Sequence, residues 1–301
     1  MPLVSVVMVC YNHEKFCLEA LNALKGQSYN NIQLIIMDDC SSDNSVHLIS
    51  KWIKDHFEEA IFIAHKNNIG LTKTLNEAIS YVSGAYVAII SCDDKMLPTR
   101  IEDCVFALEN TSDKIGACVS DMIVFNEKSK TIKQTYVDKG LMQTFSNSDF
   151  LFEELIYNYN LPSPALFYKK NVFDVVGKYD ETLAVEDNDF LFRFSKKFNI
   201  VFIDKPLVAY RMHQENFSKD LKNIKLVHSL FMAILKHVNI DNKNHKAIEG
   251  IKKILLLCLK RADDYKFIDK LKMYKLLLFA SRRKHFALNI IFKDLLKYVR
   301  K

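Results

Sequence analysis

Two pairs of adjacent aspartates, Asp38 with Asp39 and Asp93 with Asp94, are the first groups in this 301-residue chain whose spacing could do chemistry. A third acidic cluster, Glu186-Asp187-Asn188-Asp189, lies farther along. Each aspartate pair follows a short apolar run, where an open α/β sheet places ligands beyond the carboxyl ends of its strands. Four carboxylates gathered there repel one another unless a cation or a hydrogen-bond donor compensates. A hard divalent cation carrying a nucleoside diphosphate meets that demand: metal bridges carboxylate and phosphate, and a spare carboxylate accepts from a base or ribose. The plain alternative is that such pairs form turns and cap helices, as Asp43 is placed to do. Two pairs at successive strand ends favour the ligand site.

The elements that must position these acids read clearly in the first hundred residues. Residues 4–10 (VSVVMVC), 32–37 and 86–91 (YVAIIS) are short apolar runs rich in β-branched residues, the pattern of strands buried on both faces. A further strand is expected at 61–64, and helical spacing covers 14–25, 42–57 and 72–82. Alternating strands and helices with short connections give an α/β doubly wound sheet. Past residue 98 the pattern changes: helices at 100–110, 150–157, 170–176 and 187–198, strands at 115–125 and 200–203, and a polar loop or edge hairpin over 126–145. From 220 onwards the pattern is helical, at 221–238, 245–261, 267–280 and 286–299. The expected division is a body of residues 1–218, split at 98, and a helical extension of 219–301.

Six stretches in order resemble glycosyltransferase family 2: VSVVMVCYN (4–12), QSYNNIQLIIMDDCSSDNS (27–45), NNIGLTKTLNEAI (67–79), SCDDKMLPTR (91–100), VGKYDETLAVEDNDFLFRF (176–194) and YRMHQENFS (210–218). The resemblance covers about residues 3–218. It implies a GT-A-like mixed sheet with a nucleotide-binding half at 1–98 and an acceptor half at 99–218. It also implies roles. Asp39 contacts the base, accepting from a uracil or thymine N3–H, and Tyr11 flanks that base. Asn68, Gly70 and Asn76 line the nucleotide, with Lys73 able to add charge. Asp93 and Asp94 hold Mn2+ or Mg2+ on the diphosphate of a nucleotide-sugar donor. The family's motif often has an Asp two residues before Asp93, where this chain has Ser91.

His213 matches a histidine near the diphosphate and metal, able to ligate as neutral imidazole or steady the leaving phosphate when protonated; Arg211 is the lesser candidate. Asp187 matches the general base. An alcohol attacks well only as its proton leaves, and one base without a covalent partner implies inversion at the anomeric carbon. The plain alternative for Asp187 is an acid favoured at a helix N-terminus. On the acceptor side, Asn158, Asn160 and Ser163 in YNYNLPSP (157–164) could bind sugar hydroxyls, unless the segment is only a rigid proline loop.

Charge divides sharply along the chain. Residues 219–301 hold 21 Lys and Arg against 7 Asp and Glu, whereas residues 1–218 hold 21 against 29. A helical bundle with a solvated basic face explains this, and so does peripheral attachment to an anionic membrane surface presenting a saccharide or lipid-linked saccharide acceptor. No helix-turn-helix, zinc-finger or RNP-like motif points to nucleic acid. The seven cysteines form no metal-ligand spacing, and no signal-like or membrane-spanning run stands out, so a cytoplasmic enzyme is expected, peripheral on the inner face of the membrane. Two rivals remain. A metal-dependent nucleotidyltransferase would want a Gly-rich phosphate loop, which 8–26 lacks. A partner-binding protein with a degenerate site has only Ser91 in its favour.

Overall fold

The structure, a computed structural model, describes residues 1–214 except 129, 136, 148–150, 158–160 and 184, together with 216, 229, 232, 233, 236, 237, 249 and 274. Four parallel strands, β1 (Val4–Cys10), β2 (Ile32–Asp38), β3 (Ile61–Ala64) and β4 (Tyr86–Ser91), form one half of a single sheet in the order β3-β2-β1-β4. Alternation of side chains splits their burial between two faces. Val7, Ile35, Met37 and Val87 point to the face covered by Leu75 and Ala78 of α3 (Leu71–Ser80). Val6, Met8, Leu34, Ile36 and Ile90 meet α1 (Cys17–Lys25) and α2 (Ser45–His56) through Leu21, Leu24, Ile49 and Trp52 on the other. Both faces are covered, so these strands carry apolar side chains at successive positions.

The second half continues the sheet with mixed polarity. Two-residue β5 (Lys95–Met96) leads into α4 (Arg100–Glu109), then β6 (Ile115–Asn126) with its edge partner β7 (Thr131–Lys133). Helices α5 (Lys139–Asn147) and α6 (Leu151–Tyr157) precede β8 (Leu166–Lys169), and α7 (Asn171–Val176) and α8 (Asp187–Ser195) precede β9 (Asn199–Met212). From β4 the order runs β8-β6-β9-β5. Because β8 is antiparallel to both β4 and β6, and β9 is parallel to β6, strands β4, β6 and β9 all run the same way.

Three features depart from the sequence reading. The strand expected at 200–203 runs on to Met212, through a register shift where Asp121 faces Pro206; the proline is accommodated in that irregularity. Strand β8 was not foreseen, because four residues are too few to show a period. The polar stretch 126–145 contains the expected edge hairpin, but also begins helix α5, which buries Met142 and Phe145 completely.

Of the expected C-terminal helices only isolated positions are described. Ala233 and Tyr274, 0% and 5% exposed, join the same apolar cluster as Phe190 and Phe192 of α8. His237 Nε2 lies 2.8 Å from Asp189 Oδ1, and Lys236 pairs with Asp180. At these points the extension is packed on the body; the boundary at 218 and the rest of 219–301 lie outside the described residues. No helix among the described residues is long and apolar enough to cross a membrane.

Candidate active site

Because β1, β2, β4, β6 and β9 run the same way, residues just past their carboxyl ends share one edge of the sheet. Asp38 ends β2, and Asp39, Asp93, Asp94 and His213 follow strands on this edge. β8 enters there too, since it is antiparallel to β4, with its last residue Lys169 beside Tyr86 and Phe167 beside Ala88. That brings Ser163, in the 3-10 turn Ser163–Ala165 just before β8, to the same edge.

The side expected to meet the base is built on Asp39, 6% exposed. Its Oδ1 accepts from the Ile69 amide at 2.8 Å and faces His65 Nδ1 at 3.1 Å; Oδ2 accepts from the Gly70 amide at 2.9 Å. Asn68 Nδ2 donates to the Asp39 carbonyl at 3.1 Å. Gly70 makes this possible: its φ of 89° and ψ of 150° belong to a region that side chains with a Cβ avoid. Two non-glycine residues with positive φ, Asn12 at 58° and Cys40 at 68°, turn the chain sharply past β1 and β2. Tyr11, just before Asn12, is 48% exposed. Asp38 is fully buried and occupied by Ser41, whose amide and hydroxyl both donate to it.

Asn76 departs from its expected place beside the nucleotide. It is buried, its Nδ2 donates to the Tyr179 carbonyl and to Glu181, and its Oδ1 accepts from the Tyr179 amide. Together with Thr72 Oγ1, which donates to the Leu183 carbonyl at 3.0 Å, it ties α3 to the segment leading into Glu186 and Asp187. Lys73 is exposed.

Asp93 and His213 come together. His213 Nε2 lies 2.9 Å from Asp93 Oδ2, and a second imidazole, His13 Nε2, lies 3.8 Å from the same oxygen. Burial would raise the Asp93 pKa, but the His213 hydrogen bond and the His13 charge outweigh it and hold the carboxyl below its ordinary range. Burial likewise opposes charge on His13; the Cys10 thiol and Asp93 outweigh it and raise the imidazole pKa. Cys10 is itself brought down to about 6, chiefly by its hydrogen bond with Cys92. Asp94 does not join this group. It is 2% exposed, and its Oδ1 accepts from the Arg211 amide at 2.8 Å. Burial and the neighbouring Asp93 charge push its pKa well up. Arg211, also buried, donates from Nε to the Asp93 carbonyl, pairs with Glu19 and stacks between Phe16 and Phe125.

Asp93 also suits a divalent cation: its Oδ1 is buried without a hydrogen-bond partner. No group of three or more His, Cys, Asp or Glu side chains among the described residues makes a full metal-ligand set. A nucleotide-bound Mg2+ takes one or two carboxylates and fills its other positions with phosphate oxygens and water, so Asp93, with His213 beside it, could hold one.

Asp187 begins α8. Ser163 Oγ donates to its Oδ2 at 2.9 Å and Asn188 Nδ2 to its Oδ1 at 2.7 Å. Ser163, expected to bind a sugar hydroxyl, thus spends its proton on the carboxylate; Asn158 and Asn160 lie outside the described residues. Burial and the adjacent Asp187 charge push Glu186 up to about 8, so it holds its proton at neutral pH. His13, His65 and Arg100 are the site-edge residues that sequence reasoning missed. Two carried a signal: His13 directly follows the YN that closes the first motif, and Arg100 closes SCDDKMLPTR.

The family described as Glycosyl transferase family 2 matches residues 5–174, more than half of the chain. An uncharacterised glycosyltransferase of Methanocaldococcus jannaschii is 28% identical over 229 residues, covering 75% of this chain and 76% of that one. One from Haemophilus influenzae is 28% identical over 280 residues, covering 82% and 84%. Against a longer relative from Rickettsia felis, the match covers 74% of this chain and 36% of the relative. Among solved structures, S. aureus TarS 1-349 in complex with UDP-GlcNAc has a TM-score of 0.67 at 17% identity, over 97% of this chain and 89% of that one. The mannosyltransferase PcManGT from Pyrobaculum calidifontis, in complex with GDP-Man and Mn2+, has a TM-score of 0.61 at 13% identity, over 98% and 87%. The sheet is therefore of the GT-A type, and the chain belongs to glycosyltransferase family 2.

Proposed function

We propose that this glycosyltransferase moves a sugar from a nucleoside diphosphate donor, UDP-linked first and dTDP-linked next, to an acceptor hydroxyl with inversion at the anomeric carbon. The observation that carries the reading is the shared sheet edge: base-side Asp39, the Asp93–His213 pair and the Ser163-bound Asp187 follow elements that all end or begin there. TarS with UDP-GlcNAc and PcManGT with GDP-Man and Mn2+ support the donor class on the same fold.

Asp39, fixed by the Ile69 and Gly70 amides, keeps a lone pair on Oδ2 for an N–H of the base, and exposed Tyr11 offers a ring face to it. Asn68 holds the turn in which those amides sit. Asp93 and His213 would hold Mn2+ or Mg2+ against the diphosphate, and Asp94 fixes the β9 backbone instead of ligating. When bound, the cation neutralises charge on the departing diphosphate. Asp187 takes the acceptor proton as the new C–O bond forms, while neutral Glu186 beside it adds no second charge. A saccharide or lipid-linked saccharide acceptor at an anionic membrane surface suits the basic composition of 219–301.

Asp187→Asn tests the assignment. The amide keeps the shape and the Ser163 contact but cannot take a proton. Turnover of the sugar nucleotide should fall by roughly 10²-fold or more, with UDP affinity nearly unchanged in calorimetry; wild-type turnover would remove Asp187 as base.

A further inference from the structure

We infer that Arg100 is a positioning residue for Asp187, acting through the turn that carries Ser163. The inference rests on the reading of Asp187 as base. Arg100 opens α4, six residues past Asp94, and is fully buried. Its Nη2 donates to the Pro164 carbonyl at 2.7 Å and to the Leu166 carbonyl at 3.3 Å. These carbonyls follow Ser163, whose Oγ donates to Asp187 Oδ2 at 2.9 Å. One nitrogen therefore pins the turn, and the turn presents the hydroxyl that orients the carboxylate.

Stability alone is a poor account of this arginine. Its Nε and Nη1 are buried without hydrogen-bond partners, and burial lowers its pKa, a sign that the charged form is poorly compensated. An apolar side chain of similar volume would fill the slot without stranding two donors. No apolar side chain could hold two backbone carbonyls from a single atom, and lysine, a point charge on a flexible stem, holds them less rigidly. The connection is also long-range: Arg100 belongs to the helix after the Asp93-Asp94 motif, and Asp187 lies beyond three strands and four helices in the chain. Arg100 thereby ties the geometry of the donor side to that of the base.

The test is a double-mutant cycle with Arg100→Lys and Ser163→Ala, read in two ways. The first is kcat for the sugar nucleotide. Each single variant should lower kcat about 10-fold with little change in KM, and the double variant should lose no more than Ser163→Ala alone, because the arginine acts only through the serine. The second readout needs no substrate: the Asp187 carboxyl titration followed by carbon NMR, its signal assigned by loss in Asp187→Asn. Removing a donor to the ionised form raises a carboxyl pKa, so both single variants should move this titration upward and the double variant no further. Glu186, Tyr168 and Tyr179 are described titratable groups that feel the Asp187 charge, and they stay in place in all variants.

An unmoved Asp187 titration in folded Arg100→Lys, or equal further losses in the Ser163→Ala background, would overturn the inference. Should Arg100→Lys not fold, Arg100→Gln takes its place; failure of both to fold assigns Arg100 to the core and also overturns it. Full activity in Asp187→Asn would sink the base reading instead, and leaves the NMR arm of the cycle readable.

Discussion

The donor side and the acceptor side of this crevice are held by different means. Asp39 and Asp93 follow parallel strands directly, so the sheet sets their positions; the Ile69 and Gly70 amides orient the first carboxylate, and the His213 imidazole just past β9 meets the second. Asp187 starts a helix that packs through aromatic side chains, and its carboxylate is aimed by a serine 24 residues away. That serine depends in turn on an arginine 64 residues from Pro164. Strand ends give positions that single substitutions hardly move. A relay of side chains gives one that a single substitution can loosen, and the acceptor side is built on the relay.

The sharpest way to break this contrast lies inside the donor side, between Asp93 and Asp94. In the proposed function Asp93 meets the cation through its unpartnered Oδ1, beside His213, whereas the Asp94 carboxyl is turned to the Arg211 amide. Asp93→Asn should reduce Mn2+-assisted UDP binding to its metal-free level, a loss on the order of 10²-fold. Asp94→Asn preserves an acceptor for the Arg211 amide, at a site where burial and the neighbouring Asp93 charge already disfavour the ionised carboxylate. It should keep the metal dependence. Calorimetry with and without Mn2+ decides; the reverse order would restore Asp94 as the ligand.

A smaller effect is expected at Gly70. An added Cβ would meet nothing within 4 Å, so any penalty for Gly70→Ala comes from its positive φ and not from a clash. Backbone strain of this kind costs about 1–3 kcal/mol, and the easiest relief is a rotation that takes the amide away from Asp39 Oδ2. UDP affinity should fall ~10-fold both with and without Mn2+. A loss seen only with metal would place Gly70 at the phosphates and not behind the base.

These two regions also differ in what the sequence disclosed. Around Asp39 and Asp93 the apolar runs, the paired acids and the strand ends lie within a few residues of one another, so periodicity alone placed them. Long-range bonds leave no such trace. Nothing local marks Asn76 as a tether for residues 179–181, or Arg100 as a partner of Pro164. Strand β8 owes its existence to neighbours on both sides, β4 and β6, and not to its own four residues. Asp94 looked equivalent to Asp93 because adjacent residues at a strand end differ in direction, a property of the backbone that composition does not carry.

The smallest effect concerns the neutral acid beside the base. Burial first, and then the Asp187 charge, push Glu186 up to about 8. The unfolded chain releases this proton near the ordinary glutamate value of about 4.3, while the folded protein keeps it. Between those two values the folded state binds more protons, so stability falls as pH rises from about 4.3 to about 8 and levels off above that. Glu186→Gln, an amide in place of a neutral carboxyl, removes that contribution. Its Tm should lie above wild type at pH 8 and converge with it near pH 4, the difference growing steadily between. A constant offset across the range would mean that Glu186 is ionised in the folded protein, and the base would then sit beside a second negative charge.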